Sequence, residues 1–148
     1  MSELKDRING DVKTAMRSQN KERVAVLRLI LAAIKQREVD ERIMLDDSQV
    51  LAVLDKMAKQ HRDSIEQFRS AGRDDLADKE EAELGVVREY MPEALTDTEI
   101  ATLIQDAIQE SGAQGMKDMG KVMGLLKPKV QGRTDMGKLS GLVKAKIG

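Results

Sequence analysis

The chain has 148 residues, 41% hydrophobic and 34% charged, with 25 basic against 26 acidic side chains for a net charge of −1. That balance excludes a disordered polyelectrolyte and names no partner, while the length suffices to bury roughly 70% of the unfolded surface in one domain or two small ones. Cysteine is absent and the aromatics are Phe68 and Tyr90, so disulfides, thiolate metal sites and cysteine nucleophiles are excluded, and the core must be aliphatic, which favours helices over strands.

Ser2 is placed to cap a first helix with the stripe Leu4, Ile8, Val12 and Met16, ending near Ser18. Asn20 offers the cap of a second, where Val24, Leu27, Ile30, Leu31 and Ile34 form a face widened by Val26 and Leu29. Its charged continuation, KQREVDERIML, is expected to project from the core. Asp46-Asp47 opens a third helix along Leu51, Leu54, Ala58, His61, Ile65 and Phe68, stopped by Gly72. A fourth follows Asp74-Asp75 through Leu76, Glu80, Leu84, Val87 and Met91, and ends at Pro92.

The boundary between two subdomains is expected there, 1–92 and 93–148. Beyond it, Thr96 and Glu99 spell a capping box, with Leu95 and Ile100 as a hydrophobic staple, for a helix running to Gly112. The remainder repeats itself: residues 115–127 and 132–144 match at Gly, Asp, Met, Gly, Lys, Gly, Leu and Lys with a period of 17.

Each copy, GMKDMGKV and GRTDMGKL, contains G-x-x-x-x-G-K, but a phosphate-binding loop needs a strand before it and a hydroxyl after the lysine. Here a helix end precedes, and Val122 and Leu139 follow. The copies instead read as helix starts capped by Asp118 and Asp135, leading the stripes Met119, Val122, Met123, Leu126 and Met136, Leu139, Val143, Ile147. Gly120 with Gly124, and Gly137 with Gly141, then lie at i,i+4, each at a cost to helix stability that calls for close approach by a neighbouring helix or by a ligand. Bare helix starts beside Lys121 and Lys138 are candidate phosphate contacts.

From Gly112 onward eight basic residues (Lys117, Lys121, Lys127, Lys129, Arg133, Lys138, Lys144 and Lys146) face two acidic ones, a local charge of +6. That polarity points to an anionic partner, and with no aromatic among the lysines the contact would be to phosphate and shape rather than stacked bases. His61, the only histidine, excludes a two-histidine metal site and reads as a partly buried structural residue. Asp46-Asp47 and Asp74-Asp75 read as caps and Asp78 to Glu83 as a solvated face, so no catalytic, cofactor or metal residue is expected. MSELKDRING lacks a signal-peptide core, and Val24 to Ile34, interrupted by Arg28, is too short to span a bilayer; a soluble, cytoplasmic protein without a membrane partner is the expectation.

The segments AGRDDLADKEEAELGVVREYMPEALTDTEI and MKDMGKVMGLLKPKVQGRTDMGKLSGLV, above all Ala71-Gly72-Arg73, Leu76, Glu80, Tyr90-Met91-Pro92, Met119 to Gly124, Gly132-Arg133 and Asp135, resemble the YqeY family. Its domain is shared with the tail of the GatB subunit of tRNA-dependent amidotransferases. The resemblance covers essentially the whole chain. It implies an all-α, multihelical protein of about four helices plus a C-terminal three-helix part. It further implies an accessory module that binds tRNA or another structured RNA, without cofactor and without settled catalysis, any carbon-nitrogen ligase activity belonging to other domains. The alternative is a protein-interaction module docking on a synthetase, an amidotransferase subunit or a ribosome-associated factor.

Overall fold

The structure, a computed structural model, describes residues 2–148. Seven α-helices and no strand are found among the described residues: α1 (Glu3–Arg17), α2 (Lys21–Glu41), α3 (Asp47–Ser70), α4 (Asp74–Arg88), α5 (Asp97–Ser111), α6 (Met119–Val130) and α7 (Met136–Ile147), with a 3-10 turn at Met116–Asp118. The all-helical architecture expected from the aliphatic composition is therefore the one observed. The chain separates into two compact units, Met1–Met91 and Pro92–Gly148.

Helix starts follow the polar residues that precede them. Ser2, Asn20 and Thr96 accept from Lys5, Arg23 and Glu99 backbone N–H groups, and Asp46 and Thr96 each complete a capping box, with Gln49 and Glu99. Asp74 and Asp75 differ from expectation. Arg73 is the capping residue of α4 and makes no side-chain cap bond, while the two aspartates lie in the first turn, where the N-terminal dipole favours them. Gly112, at φ +67°, closes α5 in the left-handed region that a side chain would disfavour. α4 ends at Arg88, ahead of Pro92, and turn bonds from the N–H groups of Tyr90 and Met91 carry Tyr90 back into the core.

The first unit buries Ile8, Val12, Ala15, Val26, Leu27, Ile30, Ile34, Leu45, Val50, Leu54, Ala58, Leu84, Val87 and Tyr90 in one cluster. On α1 and α2 two of the expected apolar positions are instead exposed, Met16 at 51% and Leu29 at 53%. A strict i+4 spacing drifts around a helix of 3.6 residues per turn, so Ala15 rather than Met16 continues the buried line of α1. The end of α2 does not project freely. Glu38 accepts from Lys5 Nζ at 2.8 Å and from the Leu45 N–H at 3.0 Å, and this folds Leu45 into the core. Beyond Ala58, α3 contributes no fully buried residue, so its second half pairs with α4 as a thinner arm.

Tyr90 ties three elements together. Its hydroxyl donates to Asp11 of α1 at 2.6 Å and receives a bond from Arg23 of α2 at 3.3 Å, and Arg7 lies 4.8 Å from its ring centroid. The second unit has a separate core of Ile100, Ile104, Ala107, Val122, Leu126, Val130, Leu139 and Val143. Within it, Leu95 donates its N–H to the Arg133 carbonyl and Arg133 Nε donates to the Glu93 carbonyl, both at 2.9 Å. These bonds stitch the segment before α5 to the turn between α6 and α7.

Candidate nucleic-acid interface

Both copies of the sequence repeat are helix starts, as their spacing predicts. α6 buries Val122, Leu126 and Val130 and α7 buries Leu139 and Val143, so the residues at the complementary angles are turned outward. Those are Gly120, Lys121, Gly124 and Lys127 on α6, and Gly137, Lys138, Gly141 and Lys144 on α7, all exposed. The two helices thus carry the same outward strip, Gly-Lys-x-x-Gly-x-x-Lys, one repeat apart.

The glycines are not there to let helices of the second unit cross. A Cβ built at Gly120, Gly124 or Gly141 would meet nothing within 4 Å, so no neighbouring helix of this unit makes the close approach. At Gly137 the near atom is Asp135 Oδ1, 3.2 Å away, a neighbour from its own cap. Along each strip the backbone is bare to solvent. Pro128 lies inside α6 and supplies no N–H to the carbonyl of Gly124, four residues earlier.

One of the two helix starts, that of α7, is less open than expected. Asp135 caps α7 by accepting from Gly137 N–H at 2.8 Å and Lys138 N–H at 3.3 Å, so its carboxylate already occupies the place of an incoming anion. Asp118 makes no cap bond; its carboxylate takes the Gln114 N–H at 3.0 Å, and α6 is entered through the 3-10 turn. The cap site of α7 is thus filled by Asp135, whereas no side chain caps α6.

Lys117, Lys121, Lys127, Lys129, Lys138, Lys144 and Lys146 are exposed. Two of them reach carboxylates only at long range, Lys121 to Asp118 at 3.9 Å and Lys138 to Asp97 at 3.8 Å. Exposed pairs of this kind contribute little and leave the ammonium groups available. Arg133 stands apart, half-buried and engaged with the Glu93 carbonyl, a stitch in the fold. The charge polarity is also finer than a basic module beside an acidic one. Residues 92–111 hold Glu93, Asp97, Glu99, Asp106 and Glu110 and no basic residue, so the second unit as a whole is only +1, with α5 acidic and α6 and α7 basic.

In the first unit, two members of the acidic run do not form the solvated face read from the sequence. Glu80 and Glu83 are half-buried and turn toward His61, whereas Asp78 and Glu81 pair with Arg69 at 3.2 and 3.0 Å. Helical spacing at i,i+3 could have flagged Glu80 and Glu83 as one face, but nothing local says that this face meets α3. No helix among the described residues is long and apolar enough to cross a membrane.

A small all-helical protein with two separate aliphatic cores and a doubled glycine–lysine strip is the class that this geometry defines. A family model described as YqeY-like protein matches residues 5–147, and the chain belongs to that family. It is 37% identical over 120 residues to "Altered inheritance of mitochondria protein 41, mitochondrial" of Pyrenophora tritici-repentis, covering 80% of this chain and 66% of that protein. Proteins of the same name from Lachancea thermotolerans and Saccharomyces cerevisiae (strain YJM789) are 30% and 26% identical over 118 and 123 residues. Those matches take in 75% and 79% of this chain and 63% and 66% of the relatives. The chain thus spans slightly less than two thirds of the length of these relatives. Their names correct the expectation of a cytoplasmic location, since each is named mitochondrial.

Proposed function

We propose that the protein is a non-catalytic accessory that binds tRNA or another structured RNA through the outward strips of α6 and α7. The observation that carries this reading is the pair of identical Gly-Lys-x-x-Gly-x-x-Lys strips, with open space over Gly120, Gly124 and Gly141. A sugar-phosphate backbone can approach a helix closely where no side chain intervenes, and lysines flanking the gap then neutralise phosphates on either side. The Gly124 carbonyl, left without its usual helix donor by Pro128, offers an acceptor to a ribose 2′-hydroxyl, a group that DNA lacks. The resemblance to the amidotransferase tail domain supports the same partner class.

Fluorescence anisotropy with bulk tRNA at low salt tests the proposal. If Lys121, Lys127, Lys138 and Lys144 each neutralise one phosphate of a duplex region, the log–log salt slope is about −3.6 and shrinks by about 0.9 for each lysine replaced by alanine. Absence of binding at low salt, or a slope indifferent to these substitutions, rejects the strips as the interface. The exposed apolar residues Met116 and Leu142 of the same unit, 43% and 40% exposed, favour docking on a protein as the second reading. Capture of a synthetase or amidotransferase subunit that survives nuclease treatment would favour that reading; partners lost with the nuclease would favour RNA.

A further inference from the structure

Past Ala58, the last fully buried position of α3, that helix runs alongside α4, and there three donor side chains converge. His61 Nδ1 lies 2.5 Å from Glu80 Oε2 and 3.8 Å from Glu83 Oε2. One donor atom from each residue falls within 4.8 Å of the others. The side chains retain 13%, 24% and 21% of their exposure, so the cluster is sheltered from bulk water but reachable from it.

Chemistry favours a cation here. Two carboxylates face one imidazole, leaving excess negative charge in either protonation state of the histidine, and the neighbouring acids Asp78 and Glu81 already have Arg69 as partner. Glu83 meets His61 only at 3.8 Å, too far for a hydrogen bond. Bond lengths of about 2.0 to 2.2 Å to a tetrahedral zinc place neighbouring donors about 3.4 Å apart, between the two separations observed. Glu80 would withdraw from the imidazole and Glu83 advance toward it, movements within the reach of their three side-chain torsions. One imidazole with two carboxylates suits Zn²⁺, whereas Mg²⁺ and Ca²⁺ select oxygen donors alone.

We propose that His61 of α3, with Glu80 and Glu83 of α4, forms a three-donor site for one divalent transition cation of the Zn²⁺ type, with a fourth position open to water. The ion would clamp the arm across α3 and α4. Because the protein has one histidine and no cysteine, any imidazole ligation is ligation by His61, and that ring reports on the site alone.

The test is a Zn²⁺ titration of the full chain, followed by calorimetry and by the ¹⁵N resonances of the single imidazole, with melting temperature measured in parallel. The expected result is one ion per chain, a shift at Nδ1 on binding, and a melting temperature that rises with the logarithm of free zinc above the dissociation constant. His61→Ala should abolish the stoichiometric event. Glu83→Gln, which keeps the side-chain shape, should weaken it by about tenfold or more, the scale on which even outer-shell partners act. An imidazole spectrum unmoved by zinc, or binding unchanged in Glu83→Gln, would overturn the proposal and leave a simple hydrogen-bonded His61–Glu80 pair.

Discussion

The hydroxyl of Tyr90 is buried against α1 and α2, and burial together with its bond to Asp11 raises the phenol well above its ordinary value. Removing it in Tyr90→Phe should cost about 1 kcal/mol in urea unfolding, the usual net worth of an internal hydrogen bond. The pH dependence follows from the direction of the shift. A raised native pKa gives stability that is present below the unfolded value of about 10 and lost as pH climbs past it, because only the unfolded tyrosine then ionises. Wild-type midpoints should therefore fall between pH 9 and 11 more steeply than those of Tyr90→Phe. Asp47 and Glu38 act at the other end of the scale. The Ser2 hydroxyl and the Leu4 N–H hold Asp47 below the usual carboxylate range, and Lys5 and the Leu45 N–H do the same for Glu38. Their contribution is present above about pH 4 and lost as pH falls through the depressed native values, so Asp47→Asn should flatten the acid limb of the stability curve.

At the scale of single helices, local chemistry decides beginnings and ends. Thr96→Ala should cost about 1 kcal/mol in the thermal unfolding of the second unit, since it removes half of a capping box. The exposed glycines invite the opposite experiment. Gly124→Ala and Gly141→Ala meet open space and should each stabilise by about 0.5 to 1 kcal/mol, whereas Gly137→Ala presses on the Asp135 cap and should gain less. If the strips seat an RNA backbone, the double variant Gly124→Ala/Gly141→Ala should bind tRNA more weakly while melting higher. Equal affinity would assign the glycines no part in recognition. Most of this was legible beforehand: Ser2, Asn20, Asp46, Thr96 and Asp135 announce helix starts because capping involves only residues two or three apart. Asp118 also marks the start of α6, but its lack of a cap bond was not legible, because the Gln114 N–H takes the same carboxylate.

The molecule as a whole keeps two aliphatic cores, and the second, in a unit of 57 residues, is small for its task. Leu126→Ala, at a fully buried site, should cost about 2 to 5 kcal/mol, enough to remove cooperative unfolding of that unit, observable as lost helical circular dichroism. Helix count, helix order and the core of each stripe were readable in the sequence alone, since periodicity and capping are properties of neighbouring residues. Which side of a stripe is covered, that Glu80 and Glu83 turn inward to His61, and that the repeated glycines look outward were settled only by tertiary packing. A helix exposes every angle until another helix takes one of them, and the choice of neighbour depends on residues far away in the chain.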